Sequence, residues 1–460
     1  MTEREADIIK LIHKEVKPAL GCTEPIAVAL AVAKAVEIIM ENCTCCKEAE
    51  CHIWRQTADF DIDVAVSGNI LKNGMGVGIP GTGMIGLHIA AALGAVCGNS
   101  SYGLEVLHDI SDSAVARAKE IVAKKKVKIR VADTSHLLYV KATVSIGEDM
   151  QASTVVRPKS AAGQNHEAPK ASAVIEDDHD KIVEVSFADK ILMSSESAAT
   201  AEDKSTLDYG LTVKEIYDFT KSVRYEDIKF ILDDRKYNLA LAEEGLKGDY
   251  GLKVGKTIKE NCDGVFGDDF MSYAMALTAA ASDARMAGCT LPAMSNSGSG
   301  NQGITVSMPI IAYALRHDIS DEELARALVL SNLIAIHIKG YLGKLSALCG
   351  CVVASTGSSC GIVYLKGGTY EQVCYAIKNM IGNITGMVCD GAKIGCAMKV
   401  ASGVSGSVQS SVLALNNTCI HETDGIIEKD IEKTIQNLGA IGSKGMQSTD
   451  KMILNIMVRK

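Results

Sequence analysis

Apolar residues recur with helical spacing near the start of the chain and predict helices over residues 3–20 and 26–40. Thr23 and Pro25 precede the apolar run of the second helix, where an N-cap threonine and a first-turn proline are favoured. Cys22 stands directly before them, at the end of a helix where the macrodipole stabilises a thiolate. The opening pattern therefore predicts two helices with an ionisable cysteine between them.

The pattern changes between residues 48 and 200, where apolar and polar positions alternate as they do in strands. This region predicts helices at 84–96 and 111–124, strands at 60–67, 127–131, 137–146 and 181–187, a weaker strand at 153–156, a glycine-rich loop at 73–83 and an exposed loop at 157–171. Beyond residue 205 the helical pattern returns, with segments at 213–221, 224–245, 269–287, 303–316, 320–337, 370–383 and 425–438 and glycine-rich connections at 295–303, 340–361 and 386–406. These patterns predict an α+β fold in which a mostly helical domain, residues 1–47 and 201–460, is interrupted by a smaller inserted α+β domain at 48–200.

Composition argues against a nucleic-acid-binding or membrane-spanning protein. The 460 residues are 47% hydrophobic and carry a net charge of −9, with a pI near 5.7. An acidic chain lacks the basic surface that nucleic acids require, so no nucleic-acid partner is expected. The longest apolar runs are too short or too interrupted to cross a bilayer, and no signal peptide is visible at the start. The sequence predicts a soluble, cytoplasmic protein without a membrane partner, compatible with a homodimer.

Cysteines supply the first candidate chemistry. The chain has 15, an odd number, and a reducing compartment disfavours disulfides. Cys389 and Cys396 lie seven residues apart in a glycine-punctuated segment, and Cys349 and Cys351 precede them by about 40 residues. Thiolates are the ligands of soft metals and iron–sulfur clusters, although no zinc-finger or ferredoxin spacing is present. These residues either pack as small hydrophobic side chains or hold a cluster that leaves one iron open.

A second candidate site is the run SNSGSGNQG at residues 295–303, which leads into an apolar helix. Hydroxyls, amides and free backbone N–H groups before a helix can bind an anion such as a substrate carboxylate. An ordinary helix-capping loop is the alternative interpretation. The candidate substrate-binding residues are Ser295, Asn296, Ser297, Gly298 and Asn301.

Five segments together resemble the L-cysteine desulfidase family, relatives of the iron–sulfur L-serine dehydratases. They are GCTEPIAVALA at 21–31, SGNILKNGMGVGIPGTG at 67–83, SNSGSGNQG at 295–303, GKLSALCGC at 343–351 and MVCDGAKIGCAMKV at 387–400. The resemblance runs in order over almost the whole chain. It implies a lyase with a [4Fe–4S] cluster and no pyridoxal phosphate, which converts L-cysteine to sulfide, pyruvate and ammonia in the helical domain.

The resemblance also implies roles for individual residues. Cys349, Cys389 and Cys396 match the three cluster ligands, but the spacing of the last pair is shorter than in the dehydratases. Cys351 could therefore replace Cys396 as a ligand. Cys22, typical of the desulfidase branch, is either a ligand or the base that removes the Cα proton.

Lys339 and Asp390 are the less favoured candidates for the base, since Lys339 could simply close a helix and Asp390 could cap a turn. Three other functions stay open beside cysteine desulfidation. They are L-serine dehydration at the same site, a non-catalytic iron–sulfur redox or iron sensor, and a metal-free binding protein. The further thiols Cys43, Cys45, Cys46 and Cys51 are interpreted as peripheral.

Overall fold

The computed structural model describes residues 1–42, 54–55, 57–147, 168–195, 209–261, 264–343 and 346–459. It divides the chain into two compact units, Cys22–Ala201 and a second unit that combines Met1–Gly21 with Glu202–Lys460. Most described residues are helical and the strands gather in one main sheet, so the predicted α+β, mostly helical fold class is confirmed. The predicted strand at 153–156 and the four cysteines between 43 and 51 lie outside the described residues.

The chain begins with α1 (Glu3–Glu15), which a Thr2–Glu5 capping box starts, and β1 (Pro18–Ala19). Helix α1 ends at Glu15 and not at the predicted residue 20, because Pro18 disfavours helical backbone in the residue before it. The unit Cys22–Ala201 contains helices α2 (Thr23–Asn42), α3 (Gly68–Gly74), α4 (Leu87–Cys97) and α5 (Asp112–Ala123), and strands β2 (Phe60–Val66), β3 (Val127–Val131), β4 (Tyr139–Ile146), β5 (Lys170–Glu176), β6 (Ile182–Phe187) and β7 (Lys190–Ser194).

These six strands form one sheet in the order β3-β2-β4-β5-β6-β7. Only β2 and β3 are parallel, and every other neighbouring pair is antiparallel. Helix α2 packs on strands β4 and β5 and on helix α4. A Cβ added to Gly94 would lie 2.4 Å from the Ala29 carbonyl oxygen, so the two helices meet backbone to backbone. Because of these contacts, α2 belongs to the same unit as the sheet. The unit therefore begins at Cys22, whereas the sequence predicts that the inserted domain begins at residue 48.

The other unit is built from helices, with one short ladder between β1 and β8 (Ala293–Met294). Its helices are α6 (Val213–Ser222), α7 (Tyr225–Ile228), α8 (Asp233–Lys247), α9 (Val254–Glu260), α10 (Phe270–Met286), α11 (Gly300–Arg316), α12 (Asp321–Leu342), α13 (Gly350–Leu365), α14 (Tyr370–Ile384), α15 (Cys396–Leu415), α16 (Ile431–Ala440) and α17 (Gln447–Met457). Within the described residues, no helix is both long enough and apolar enough to span a membrane.

Helices α13 and α15 occupy two stretches, 340–361 and 386–406, that the glycine content predicts as connections. That prediction is wrong for most of both stretches. A Cβ added to Gly357 would lie 2.4 Å from the Ser331 carbonyl oxygen, so this glycine serves close packing of α13 on α12. Buried contacts between helices offset the low helix propensity of glycine.

Candidate active site

A short bridge between two loops joins the cysteine-bearing segments. Leu348 and Val388 form an antiparallel β-bridge just before Cys349 and Cys389. The Cys349 N–H donates to the Met387 carbonyl at 2.9 Å, and the Cys389 N–H donates to the Ala347 carbonyl at 2.7 Å. Segments 40 residues apart in sequence are therefore held side by side by their own backbone.

Four cysteines converge at this bridge. Cys349 is the N-cap residue of α13, and Cys351 lies in the first turn of that helix. Cys396 is the first residue of α15, and its thiol contacts the Gly391 carbonyl. Cys349 and Cys351 are buried, whereas Cys389 and Cys396 are partly exposed. The charges of Cys349, Cys389 and Cys396 all act on the Cys351 thiol, which places the four sulfurs in one neighbourhood.

Two lysines add positive charge to this thiol cluster. A hydrogen bond from Cys351, together with the smaller effects of the Lys399 and Lys339 charges, lowers the pKa of Cys349 to about 7 despite its burial. Cys351, the donor in that pair, has its pKa raised. Burial raises the pKa of Cys396 to about 12. The thiol pKa is therefore lowered at Cys349 and raised at Cys351 and Cys396.

Asp390, a predicted candidate base, lies beside the cluster and is held by lysines. Burial would raise the pKa of Asp390, but hydrogen bonds from Lys393 and Lys399 outweigh it and lower that pKa to about 2. So weakly basic a carboxylate is poorly suited to removing a Cα proton. Its visible role is to hold Lys399, which also donates to the Val388 carbonyl at 2.7 Å.

Lys339, the other alternative base, lies in the last turn of α12, and its carbonyl accepts a hydrogen bond from Gly343 at 2.9 Å. Its backbone therefore closes the helix end, as the alternative interpretation states, while its charge acts on Cys349. Cys22 belongs to the unit Cys22–Ala201, where it is buried and its carbonyl accepts from Ile26 at the start of α2.

The side chains of the thiol cluster offer sulfur atoms as possible metal ligands. Among the residues that the structure describes, no group of three His, Cys, Asp or Glu side chains is placed to share one metal ion. Four thiols from two segments, with two lysines nearby, nevertheless form a donor set made almost wholly of sulfur. Thiolate sulfur is the ligand that holds iron–sulfur clusters in proteins.

The loop at 295–303 is a tight turn followed by a helix cap. Asn296 and Ser299 exchange backbone hydrogen bonds at 3.1 and 3.0 Å. Ser297 and Gly298 lie between them with φ values of 48° and 77°, as in a two-residue hairpin turn. The Ser299 hydroxyl then accepts from the Gln302 N–H and begins α11. This part of the loop behaves as the capping-loop interpretation states.

Most candidate substrate-binding side chains of this loop already have protein partners. The Ser295 hydroxyl donates to the Lys17 carbonyl at 2.6 Å. The Ser297 hydroxyl donates to the Asn296 side-chain oxygen at 2.9 Å. The Asn301 side-chain oxygen accepts from buried Arg285 at 3.2 Å and is partly exposed. Ser297, Gly298 and Asn301 are the partly exposed members of this set, and Ser295 and Asn296 are buried.

Sequence reasoning missed a buried ladder of side chains behind this loop, which we call the amide ladder: Gln302, Asn296, Asn332 and Asp234. Gln302 donates to Asn296 at 2.8 Å, Asn296 donates to Asn332 at 2.8 Å, and Asn332 donates to Asp234 at 2.9 Å. None of the four side chains is more than 1% exposed. The sequence shows Asn296 and Gln302 only as members of the loop at 295–303, and Asn332 only as a polar residue within a long apolar helix; none of these identifies its partner.

The last member of the amide ladder gives the protein a testable pH dependence. Burial raises the pKa of Asp234 to about 7, and the hydrogen bond from Asn332 only partly opposes this. Between about pH 4 and pH 7 the folded protein then holds a proton that the unfolded chain has released. The free energy of unfolding contributed by Asp234 is therefore largest at low pH and falls as the pH rises to about 7.

We expect Asp234→Asn to remove this slope, because its amide oxygen can still accept from Asn332 and does not titrate. The urea midpoints of variant and wild type are measured from pH 4 to pH 7.5. The midpoint of the variant minus that of wild type should increase as the pH rises. A constant difference between the two midpoints would show that Asp234 ionises normally in the folded protein.

Comparisons with known proteins assign the chain to a family. The family described as serine dehydratase alpha chain matches residues 101–455, a range that includes the loop at 295–303 and all four clustered cysteines. The chain belongs to the serine dehydratase alpha chain family. The predicted resemblance to serine dehydratase-like proteins is thus confirmed, and membership of this family indicates a lyase.

Full-length relatives extend the match to the whole chain. A UPF0597 protein of Bacteroides fragilis is 46% identical over 464 residues, which cover 100% of both chains. A UPF0597 protein of Oleidesulfovibrio alaskensis is 48% identical over 453 residues, 98% of this chain and 97% of that one. One from Shewanella pealeana is 42% identical over 456 residues, 98% of each chain. This serine dehydratase-family protein is thus similar along its whole length to chains whose names state no reaction.

Proposed function

We propose that this serine dehydratase-family protein is a lyase that eliminates sulfide from L-cysteine and releases pyruvate and ammonia. It uses a [4Fe–4S] cluster and no pyridoxal phosphate. The observation that carries the proposal is the convergence of Cys349, Cys351, Cys389 and Cys396 beside two lysines. The membership of the chain in a dehydratase family supports an elimination reaction.

Cys349, Cys389 and Cys396 would hold the cluster, with Cys351 as the possible substitute for Cys396. Such a cluster, with one iron lacking a protein ligand, supplies a Lewis acid for a substrate carboxylate and leaving group. The high pKa of Cys396 shows only that its thiol is neutral before a metal binds, because metal binding releases the protons of cysteine ligands.

The protein residues would position the substrate and move its proton. Asn301 and the N-terminal end of α11 offer an amide and a positive helix end to the substrate carboxylate. A base, for which Cys22 is our first candidate, takes the Cα proton. The electron pair forms the Cα–Cβ double bond as the Cβ–S bond breaks and sulfide leaves. The aminoacrylate that remains tautomerises, and water hydrolyses it to pyruvate and ammonia.

L-Serine dehydration is the second candidate, because the matching family is described as serine dehydratase alpha chain. The two reactions share every step and differ in one leaving atom. Full-length protein, reconstituted anaerobically with iron and sulfide, should release sulfide from L-cysteine with a kcat/KM at least about 10-fold above that for pyruvate from L-serine. A reversed preference would make L-serine the substrate. Release from neither amino acid, by protein that carries its cluster, would contradict the proposal.

A further inference from the structure

One buried atom of the amide ladder has no protein partner. The Gln302 side chain is 1% exposed and its Nε2 donates to Asn296 at 2.8 Å. Its Oε1 is buried and accepts no hydrogen bond from any residue that the structure describes. Buried acceptors are nearly always paired, because an unpaired one loses its hydration without compensation. Gln302 therefore presents an acceptor to a donor from outside the described chain.

The direction of the amide ladder explains why an oxygen, and not an amino group, is left at this end. The amino group of Asn332 donates to the Leu328 carbonyl at 2.9 Å, and a carbonyl can only accept, so this contact fixes the orientation of the amide. The same amino group faces the carboxyl group of Asp234 and donates to it. The Asn332 side-chain oxygen then accepts from Asn296, and the Asn296 side-chain oxygen accepts from Gln302. Each amide orientation follows from the one before it, which leaves Gln302 Oε1 as the terminal atom.

This terminal oxygen points at the thiol cluster. A Cβ added to Gly350 would lie 3.2 Å from Gln302 Oε1. Gly350 stands between Cys349 and Cys351 and is partly exposed, unlike Gln302 itself. Because residue 350 has no side chain, only its backbone stands between the buried Gln302 Oε1 and the thiol cluster.

The chemistry of the proposed substrate limits which group can meet this oxygen. The carboxylate and a departing sulfide are acceptors, and the thiolates of the site are acceptors as well. The α-ammonium group of an amino acid is a charged donor, and hydrogen bonds from charged donors are the stronger kind. We propose that Gln302 Oε1 binds the α-ammonium group of the amino-acid substrate and so selects amino acids over other small acids. This inference rests on the proposed function, since it names how the same site recognises its substrate.

The test compares two ligands that differ only in the ammonium group. L-2-Aminobutyrate is cysteine with a methyl group in place of the thiol. Butyrate is the same molecule without the α-ammonium group. The Kd of each is measured by calorimetry with anaerobically reconstituted full-length protein. In Gln302→Met, we expect the preference for L-2-aminobutyrate over butyrate to fall by about 10-fold or more, with the Kd of butyrate unchanged. The control Gln409→Met makes the same change at an exposed position of α15 and should leave both Kd values unchanged.

Gln302→Glu loses the hydrogen bond to Asn296 but keeps an acceptor and adds a negative charge, so it should increase the preference for L-2-aminobutyrate. This variant tests the inference if the methionine variant does not fold, and an unchanged or lower preference in it would contradict the inference. An unchanged preference in folded Gln302→Met, or equal weakening of both ligands, would overturn the inference and leave Gln302 a support of the loop. Failure of the proposed reaction gives a different result: wild type would release neither sulfide nor pyruvate while its preference still depends on Gln302. Wild type that binds neither ligand would overturn the inference, while release of sulfide or pyruvate remains the test of the proposed reaction.

Discussion

Cys349→Ser should purify without an iron–sulfur chromophore, and its lyase activity should be at least about 100-fold lower than that of wild type. Cys349 is the residue chosen for this test, because it is the N-cap of α13 and a hydrogen bond from Cys351 helps to lower its thiol pKa to about 7. A serine hydroxyl keeps the size of the side chain but is a poor ligand for iron in a cluster. The measurement is iron and acid-labile sulfide per chain after anaerobic reconstitution, together with the visible absorption spectrum.

Cys419→Ser is the matched control. The Cys419 thiol is partly exposed outside the thiol cluster and contacts the Ile420 carbonyl at 3.1 Å, a contact that a serine hydroxyl can keep. This variant should bind as much iron as wild type and turn over at the same rate. Wild-type iron content and activity in Cys349→Ser would remove Cys349 from the ligand set. Colourless wild-type protein after reconstitution would remove the cluster from the proposal altogether.

The largest loss of stability is expected from Asn332→Leu, at about 3–5 kcal/mol in the free energy of unfolding. Asn332 is fully buried and joins Asp234 to Asn296 through both ends of its amide. Leucine has a similar volume, so no cavity is expected. The cost arises because the carboxyl group of Asp234 is left buried without its donor, and Asn296 loses its strongest acceptor.

The urea midpoint of the variant, followed by far-UV circular dichroism, measures this loss. Asn416→Leu is the control, because Asn416 is exposed at the end of α15 and its side chain donates to the Val412 carbonyl at 2.9 Å. The free energy of unfolding of this control should lie within about 0.5 kcal/mol of the wild-type value. Equal midpoints for Asn332→Leu and wild type would show that the amide ladder contributes nothing to stability.

The spacing of apolar residues and the capping residues predicted much of the fold, because both depend on neighbours close in sequence. The strand Val127–Val131 has its predicted bounds, and helix α2 begins at the threonine that precedes its proline. Glycine was the source of the largest errors, since the same residue ends some helices and permits close contact between others. Gly357 is of the second kind, and only the neighbouring Ser331 backbone reveals it.

The candidate site divides in the same way. Sequence spacing and resemblance pointed to Cys349 and Cys389, and the structure brings their segments together. The amide ladder was beyond prediction because Asp234 and Gln302 are distant in sequence from each other and from Asn332. Periodicity along one helix carries no information about which side chain of another helix will meet it.

The bridge between Leu348 and Val388 bears on the order of events when the protein matures. Two backbone hydrogen bonds, which involve no thiol, already hold both cysteine segments in register. The entropy of closing the loop between them is therefore spent during folding and not when iron arrives. We expect the newly made chain to fold before it receives any metal. A scaffold protein could then transfer its cluster to a finished structure, and a chain that loses its cluster to oxygen could be repaired without unfolding.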